Sequence, residues 1–100
     1  MPLTATTRRK WTNEGNKSQR VALYLDEWAA RQEPGTIVPA DDVIVARYPS
    51  MTGRRGEVWT TTRANARRAV ELLAERAVLH RDRNTGHYHV SATRPAFQVT

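Results

Sequence analysis

One short segment of the chain concentrates side chains that can bind phosphate or read base edges. Arg63, Arg67 and Arg68, together with Asn65, supply hydrogen-bond donors at close spacing. Such donors at the start of a helix suit phosphate oxygens and the major groove of DNA. The competing interpretation is a solvated amphipathic helix in which Arg67 pairs with Glu71, four residues later.

Histidines and paired carboxylates are the other candidates for chemistry. His80, His87 and His89 could converge on a hairpin, and three histidines can bind zinc, but we interpret them as surface residues and predict no metal site. The acidic pairs at 26–27 and 41–42 fall on a helix surface and at a helix start, outside any predicted pocket. No phosphate loop, nucleophile elbow or zinc motif is present in the sequence. We therefore expect neither an enzyme nor a bound cofactor.

The arginine-rich segment must be positioned by a helix. Its apolar residues recur at the spacing i, i+3, i+4, i+7, which predicts one buried stripe, made of Ala66, Ala69, Val70 and Leu73. The helix is predicted to begin at Val58 or Thr60 and to end near Arg76. The arginines lie on the opposite, exposed face.

The remaining elements are predicted from periodicity and turn signals. A first helix covers residues 18–32, with Ser18 as its N-cap, and Trp28 belongs to its buried stripe. A short extended piece at 36–38 leads into a second helix, which opens at residues 39–42 and continues to about residue 48. After the arginine-rich helix, strands at 78–83 and 87–90 form a hairpin.

The two ends of the chain are predicted to lie outside the folded domain. Residues 1–17 lack apolar periodicity and are read as a flexible basic arm, although Trp11 could instead anchor the arm to the domain. Residues 18–90 form the domain and residues 91–100 a tail.

The charge is strongly basic and unevenly distributed. The net charge is +6 and the pI is about 10.8, which favours a polyanionic partner. Residues 1–20 carry +4, residues 21–53 carry −3 and residues 54–100 carry +5. The 100-residue chain allows one small domain with no room for a large enzyme cleft.

The composition also bears on the compartment. Cysteine is absent, which excludes disulfides and thiolate chemistry. No apolar run approaches the length of a membrane span, and the polar N-terminus does not have the pattern of a secretion signal. We expect a cytoplasmic protein without a membrane partner.

Three segments of the chain resemble the DNA-binding domain of the GntR family of bacterial regulators, and the resemblance covers roughly residues 18–90. Residues 33–41, EPGTIVPAD, look like the family's proline-glycine, short strand and start of the second helix. Residues 62–73, TRANARRAVELL, keep the spacing of the family's Ser-Arg-x-Thr-Val-Arg-x-Ala-Leu-x-x-Leu motif. Residues 86–90, GHYHV, are similar to its Gly-x-Tyr-x-Val strand.

The resemblance implies an α+β fold, a winged helix-turn-helix of three helices and a C-terminal β-hairpin wing. It implies that Thr62 and Arg63 contact phosphates, that Arg67 is the motif arginine and that Gly86 is the glycine of the wing turn. The chain departs from the family at Asn65, where the motif has threonine, and at Ala77, where glycine is usual.

Two differences in length also matter. The connection before the arginine-rich helix is several residues too long and brings Arg54 and Arg55. Only ten residues follow the wing, so the large effector domain of most GntR regulators is not expected, nor a small-molecule effector.

The sequence thus predicts a protein that binds specific sequences in double-stranded DNA. Its expected role is that of a small transcriptional repressor of a plasmid, phage or integrative element, and we expect it to act as a homodimer. The alternatives are an architectural DNA-binding factor for excision or partition, and a winged-helix module that binds protein. The predicted DNA-binding residues are Arg8, Arg9, Lys10, Arg54, Arg55, Thr62, Arg63, Asn65, Arg67, Arg68, Arg81, Arg83, Gly86 and His87.

Overall fold

Four α-helices precede a two-stranded hairpin in the part of the chain that the computed structural model describes, residues 3–48 and 60–91. The elements are α1 (Ala5–Glu14), α2 (Lys17–Ala30), α3 (Asp41–Arg47), α4 (Arg63–Glu75), β1 (Leu79–Arg81) and β2 (Tyr88–Val90). The predicted α+β class is confirmed. The described residues contain one helix more than the three that were expected.

The predicted arginine-rich helix is α4, and its apolar stripe is buried as expected. Ala66, Ala69, Val70 and Leu73 are its buried residues. They pack α4 mainly against α2, and also against α3. The helix begins later than predicted, because the Thr62 side chain accepts a hydrogen bond from the backbone N–H of Asn65 at 3.2 Å and so caps the first turn.

The additional helix, α1, lies where an irregular arm was expected. Thr4 caps its N-terminus, with the Thr7 N–H donating to the Thr4 hydroxyl at 3.1 Å. Trp11 is only 5% exposed and belongs to the core. The Arg76 guanidinium carbon lies 5.1 Å from the centre of the Trp11 ring, a cation–π contact. One buried aromatic residue thus holds the helix to the domain, as the alternative for Trp11 anticipated.

The N-cap of α2 lies two residues before the predicted one. Asn16, not Ser18, is its N-cap: the Asn16 side chain accepts from the Gln19 N–H at 2.8 Å. The Gln19 side chain in turn accepts from the Asn16 N–H at 3.0 Å, which completes a capping box. Ser18 lies within the helix, and Trp28 is half-buried against the core.

The hairpin pairs in the register Leu79↔Val90, His80↔His89, Arg81↔Tyr88. The predicted extended piece at 36–38 lies along the other edge of β2. The Val38 N–H donates to the Tyr88 carbonyl at 2.9 Å, and the Val90 N–H donates to the Thr36 carbonyl at 2.9 Å. Both strands of the hairpin are shorter than predicted.

Tyr24 on α2 and Tyr48 after α3 join these two helices. Their rings meet edge to face with centroids 5.7 Å apart. Burial raises the pKa of both phenols above the usual 10.0, and nearby arginines offset part of that rise. The helix pair is therefore held by neutral side chains at neutral pH.

Several predicted features lie outside the described residues. They comprise the connection at 49–59, with Arg54, Arg55 and Trp59, and residues 92–100 of the tail. Within the described ranges, no helix combines the length and the apolar character needed to cross a bilayer.

Candidate functional site

The first turn of α4 carries three predicted site residues in different surroundings. The Thr62 hydroxyl caps the helix. Arg63 is exposed, and no ion pair joins it to another described residue. The Asn65 side chain is half-buried, and its Oδ1 accepts a hydrogen bond from the Ser18 hydroxyl at 3.2 Å. This turn therefore presents Arg63 outward, while Asn65 ties α4 to the start of α2.

Arg67, one helical turn after Arg63, is paired with an acidic residue of another helix. Its Nε and Nη2 donate to the same oxygen, Oδ2 of Asp41, at 3.2 and 3.0 Å. The Arg67 side chain is 69% exposed and that of Asp41 is 27% exposed. The interpretation that Arg67 pairs with Glu71 is wrong, because the first turn of α3 offers a closer carboxylate.

Arg68 makes the pairs that run along α4 itself. Its Nη1 lies 3.4 Å from a carboxylate oxygen of Glu71 and 3.3 Å from one of Glu75. Both contacts are exposed and contribute only a few tenths of a kcal/mol each. Both ion pairs of Arg68 are therefore made with residues of its own helix.

The hairpin turn presents the second set of predicted residues. Gly86 has a φ of +77°, a conformation that favours glycine, and its N–H donates to the Asp82 carbonyl at 2.8 Å. Nη2 of Arg81 lies 3.8 Å from where a Cβ on Gly86 would stand. Arg81 therefore lies alongside the turn, while Arg83 and His87 are exposed.

An open cleft of about 350 Å³ joins these two regions. It lies between α4, the hairpin and residues 38–41, and we call it the α4–hairpin cleft. Its charged and titratable lining residues are Asp41, Arg67, Glu71, Arg81, His87 and Tyr88. The structure thus brings together Arg67 with Arg81, Gly86 and His87.

Asp41 was missed as a site residue, because its partner is 26 positions away and no local spacing connects them.

Helix α1 carries the predicted residues Arg8, Arg9 and Lys10 elsewhere. Nη2 of Arg8 is paired with Oδ2 of Asp26, a carboxylate buried on α2. Arg9 and Lys10 are exposed. The Trp11 contact fixes α1 near Arg76, at the C-terminal end of α4, which is about 20 Å from its first turn. The structure therefore does not unite α1 with the first turn of α4.

The histidines form a pair rather than a triad. His80 and His89 face each other across the hairpin, with ring centroids 5.3 Å apart. Within residues 3–48 and 60–91, no three histidine or carboxylate side chains lie close enough to hold a metal ion.

The features of the site are therefore an exposed Arg63, an Arg67 held by Asp41, and a hairpin with Arg81, Arg83 and His87 beside them. Donors of this kind bind phosphate and base edges. Comparisons with known proteins give no further guidance: no family model, no curated protein and no solved structure matches this chain.

Proposed function

We propose that this chain is a winged helix-turn-helix protein that binds specific sequences in double-stranded DNA and acts as a small transcriptional repressor of a plasmid, phage or integrative element. In this proposal α4 is the recognition helix that enters the major groove. The hairpin is the wing, which lies along the phosphate backbone. The order of the elements and the extended segment at 36–38, which is hydrogen-bonded to the hairpin, support this assignment.

The observation that carries the proposal is the shared cleft between α4 and the hairpin. Arg63 and Arg67 are four residues apart and so project from the same face of α4. Arg67 lines the cleft together with Arg81 and His87. Cationic donors from a helix and from an adjacent hairpin can contact a groove and its flanking phosphates at once.

We assign the arginines of α4 and of the hairpin to different parts of the DNA. Arg63 and Arg67 are assigned to the groove, and Arg81 and Arg83 to phosphates. Arg68 is assigned a minor part, because two glutamates already neutralise it. We further propose that two copies bind together, since one small module rarely reaches high specificity alone.

Substitution of Arg63 tests this proposal against a matched control. Arg31 is also exposed and carries the same charge, but it caps the far end of α2, about 20 Å from Ser18 and hence from the first turn of α4. Fluorescence anisotropy with labelled duplex DNA, selected by the wild-type protein from a randomised pool, measures both variants. We expect Arg63→Ala to cost about 1–3 kcal/mol of binding free energy and Arg31→Ala to cost little.

Two outcomes would count against the proposal. Equal losses for Arg63→Ala and Arg31→Ala would mean that only net charge matters and that α4 has no special role. Failure of the wild-type protein to enrich any sequence from the pool would remove the claim of specificity, and would favour an architectural factor if duplexes still bind or a protein-binding module if they do not.

A further inference from the structure

The pairing of Arg67 with Asp41 leaves one part of the guanidinium unused. Nε and Nη2 both donate to Oδ2 of Asp41, so this edge of the guanidinium is occupied. The hydrogens at the tip, on Nη1 and on the outer side of Nη2, have no acceptor among the described residues. The side chain as a whole is 69% exposed, which leaves room for a ligand to reach it.

We infer that Asp41 is a positioning residue that holds the tip of Arg67 ready for a bidentate hydrogen bond to a guanine in the major groove. This inference rests on the proposed DNA-binding function. A guanine offers two adjacent acceptors, O6 and N7, which match the two donors at the tip of an arginine. Because Asp41 uses the other edge, Arg67 need not leave it in order to read the base.

The contact with Asp41 lowers the entropic cost of fixing the Arg67 side chain on DNA. A free arginine loses side-chain freedom when it is fixed in an interface, at a cost of about two- to tenfold in affinity. Asp41 imposes that order before DNA arrives. Arg67 is largely exposed and Asp41 is partly exposed, and ion pairs at the surface contribute little to folding. The main role of Asp41 is therefore in recognition rather than in stability.

The carboxylate of Asp41 also acts through its charge. It lines the same cleft as Arg67 and Arg81 and repels the phosphates of DNA whatever the base sequence. This repulsion weakens binding to every sequence alike. Any variant that removes the charge will therefore bind DNA more tightly in general, and the test must separate this effect from the loss of positioning.

Asp42 provides the control for charge. It is the next residue in the first turn of α3, it is exposed, and within the described residues no ion pair joins it to another side chain. Asp42→Asn removes the same charge from nearly the same place and leaves the Arg67 contact intact. A difference between Asp41→Asn and Asp42→Asn therefore reports positioning.

The experiment measures discrimination rather than affinity alone. The wild-type protein first selects duplexes from a randomised pool, and Arg67→Ala identifies the base pair whose preference it relaxes. The ratio of affinities for guanine and for other bases at that pair is then measured for Asp41→Asn and Asp42→Asn. We expect Asp41→Asn to lower this ratio about three- to tenfold, and Asp42→Asn to leave it unchanged.

Each other result has a defined meaning. Equal ratios for Asp41→Asn and Asp42→Asn overturn the positioning role but leave the proposed function standing. Full discrimination in Arg67→Lys, which keeps the charge but lacks the planar fork, overturns the bidentate contact. If Asp41→Asn still lowers the ratio when Arg67 is already alanine, its effect does not pass through Arg67. A wild-type protein that selects no duplex removes the proposed function, and the inference with it.

Discussion

Ala77 occupies a backbone conformation that helix ends usually assign to glycine. Its φ is 61°, and no other described residue apart from glycines has a positive φ. The Val78 N–H donates to the Leu73 carbonyl at 3.0 Å and the Ala77 N–H to the Ala74 carbonyl at 3.1 Å. This is a Schellman motif, in which Ala77 is the first residue beyond the C-cap, Arg76. The side chain of Ala77 therefore costs about 1–2 kcal/mol at this position.

Replacing Ala77 should stabilise the fold. We expect Ala77→Gly to raise the free energy of unfolding by about 1 kcal/mol, because relief of the left-handed strain outweighs the added freedom of the unfolded chain. Ala74→Gly, inside the last turn of α4, is the matched control and should destabilise by about 0.5–1 kcal/mol. Chemical denaturation measures both. A destabilised Ala77→Gly variant would contradict the Schellman geometry.

Residue identities predicted much of the candidate site but not its pairings. The sequence has alanine at position 77, where the GntR pattern usually has glycine. The positive φ of Ala77 explains why an alanine side chain is unfavourable there. The partner of Arg67 was predicted wrongly, because spacing within one helix shows only contacts along that helix. Asp41 meets Arg67 only after α3 has packed beside α4, and a single sequence carries no signal for that contact.

At the scale of elements, α1 is the least predictable part of the fold. Its ten residues, ATTRRKWTNE, have one large apolar side chain, Trp11, so no stripe is present. An isolated helix of this length is marginal in water. It forms because Trp11 reaches the core and Arg8 pairs with Asp26 on α2. The presence and order of helix α4 and the hairpin were predicted from their periodicity and turn signals, although α4 begins later and both strands are shorter than predicted.

Removal of the Trp11 side chain should release α1 while the rest of the domain stays folded. We expect Trp11→Ala to abolish hydrogen-exchange protection of the α1 amides, since the lost burial costs about 3–5 kcal/mol, and to leave protection in α2 and α4. Asn13→Ala, at an exposed position of the same helix, is the control and should retain protection. Rapid exchange throughout residues 5–14 in the wild-type protein would instead restore the picture of a flexible arm.

At the scale of the whole molecule, the fold shows where the basic and acidic segments of the sequence lie. The basic second half of the sequence contains α4 and the hairpin, which border one cleft. The acidic middle contributes Asp41 and Asp26, which hold Arg67 and Arg8. Acidic residues therefore orient part of the positive charge, while Arg63, Arg81 and Arg83 remain exposed. Composition predicted a polyanionic partner, but the packed structure was needed to see which arginines are paired with carboxylates of other helices and which are exposed.

The salt dependence of duplex DNA binding tests the central claim most directly. Phosphate contacts from Arg81 and Arg83 of the two bound copies would release counterions, so log affinity should fall against log salt with a slope of about −3.6 or steeper. A fourfold rise in salt, from about 50 to about 200 mM, should then weaken binding about 100-fold. Anisotropy titrations of the wild-type protein measure this slope. A slope of about −3.6 or steeper supports an interface of several phosphate contacts, whereas a flat response or no binding at low salt would contradict the proposed function.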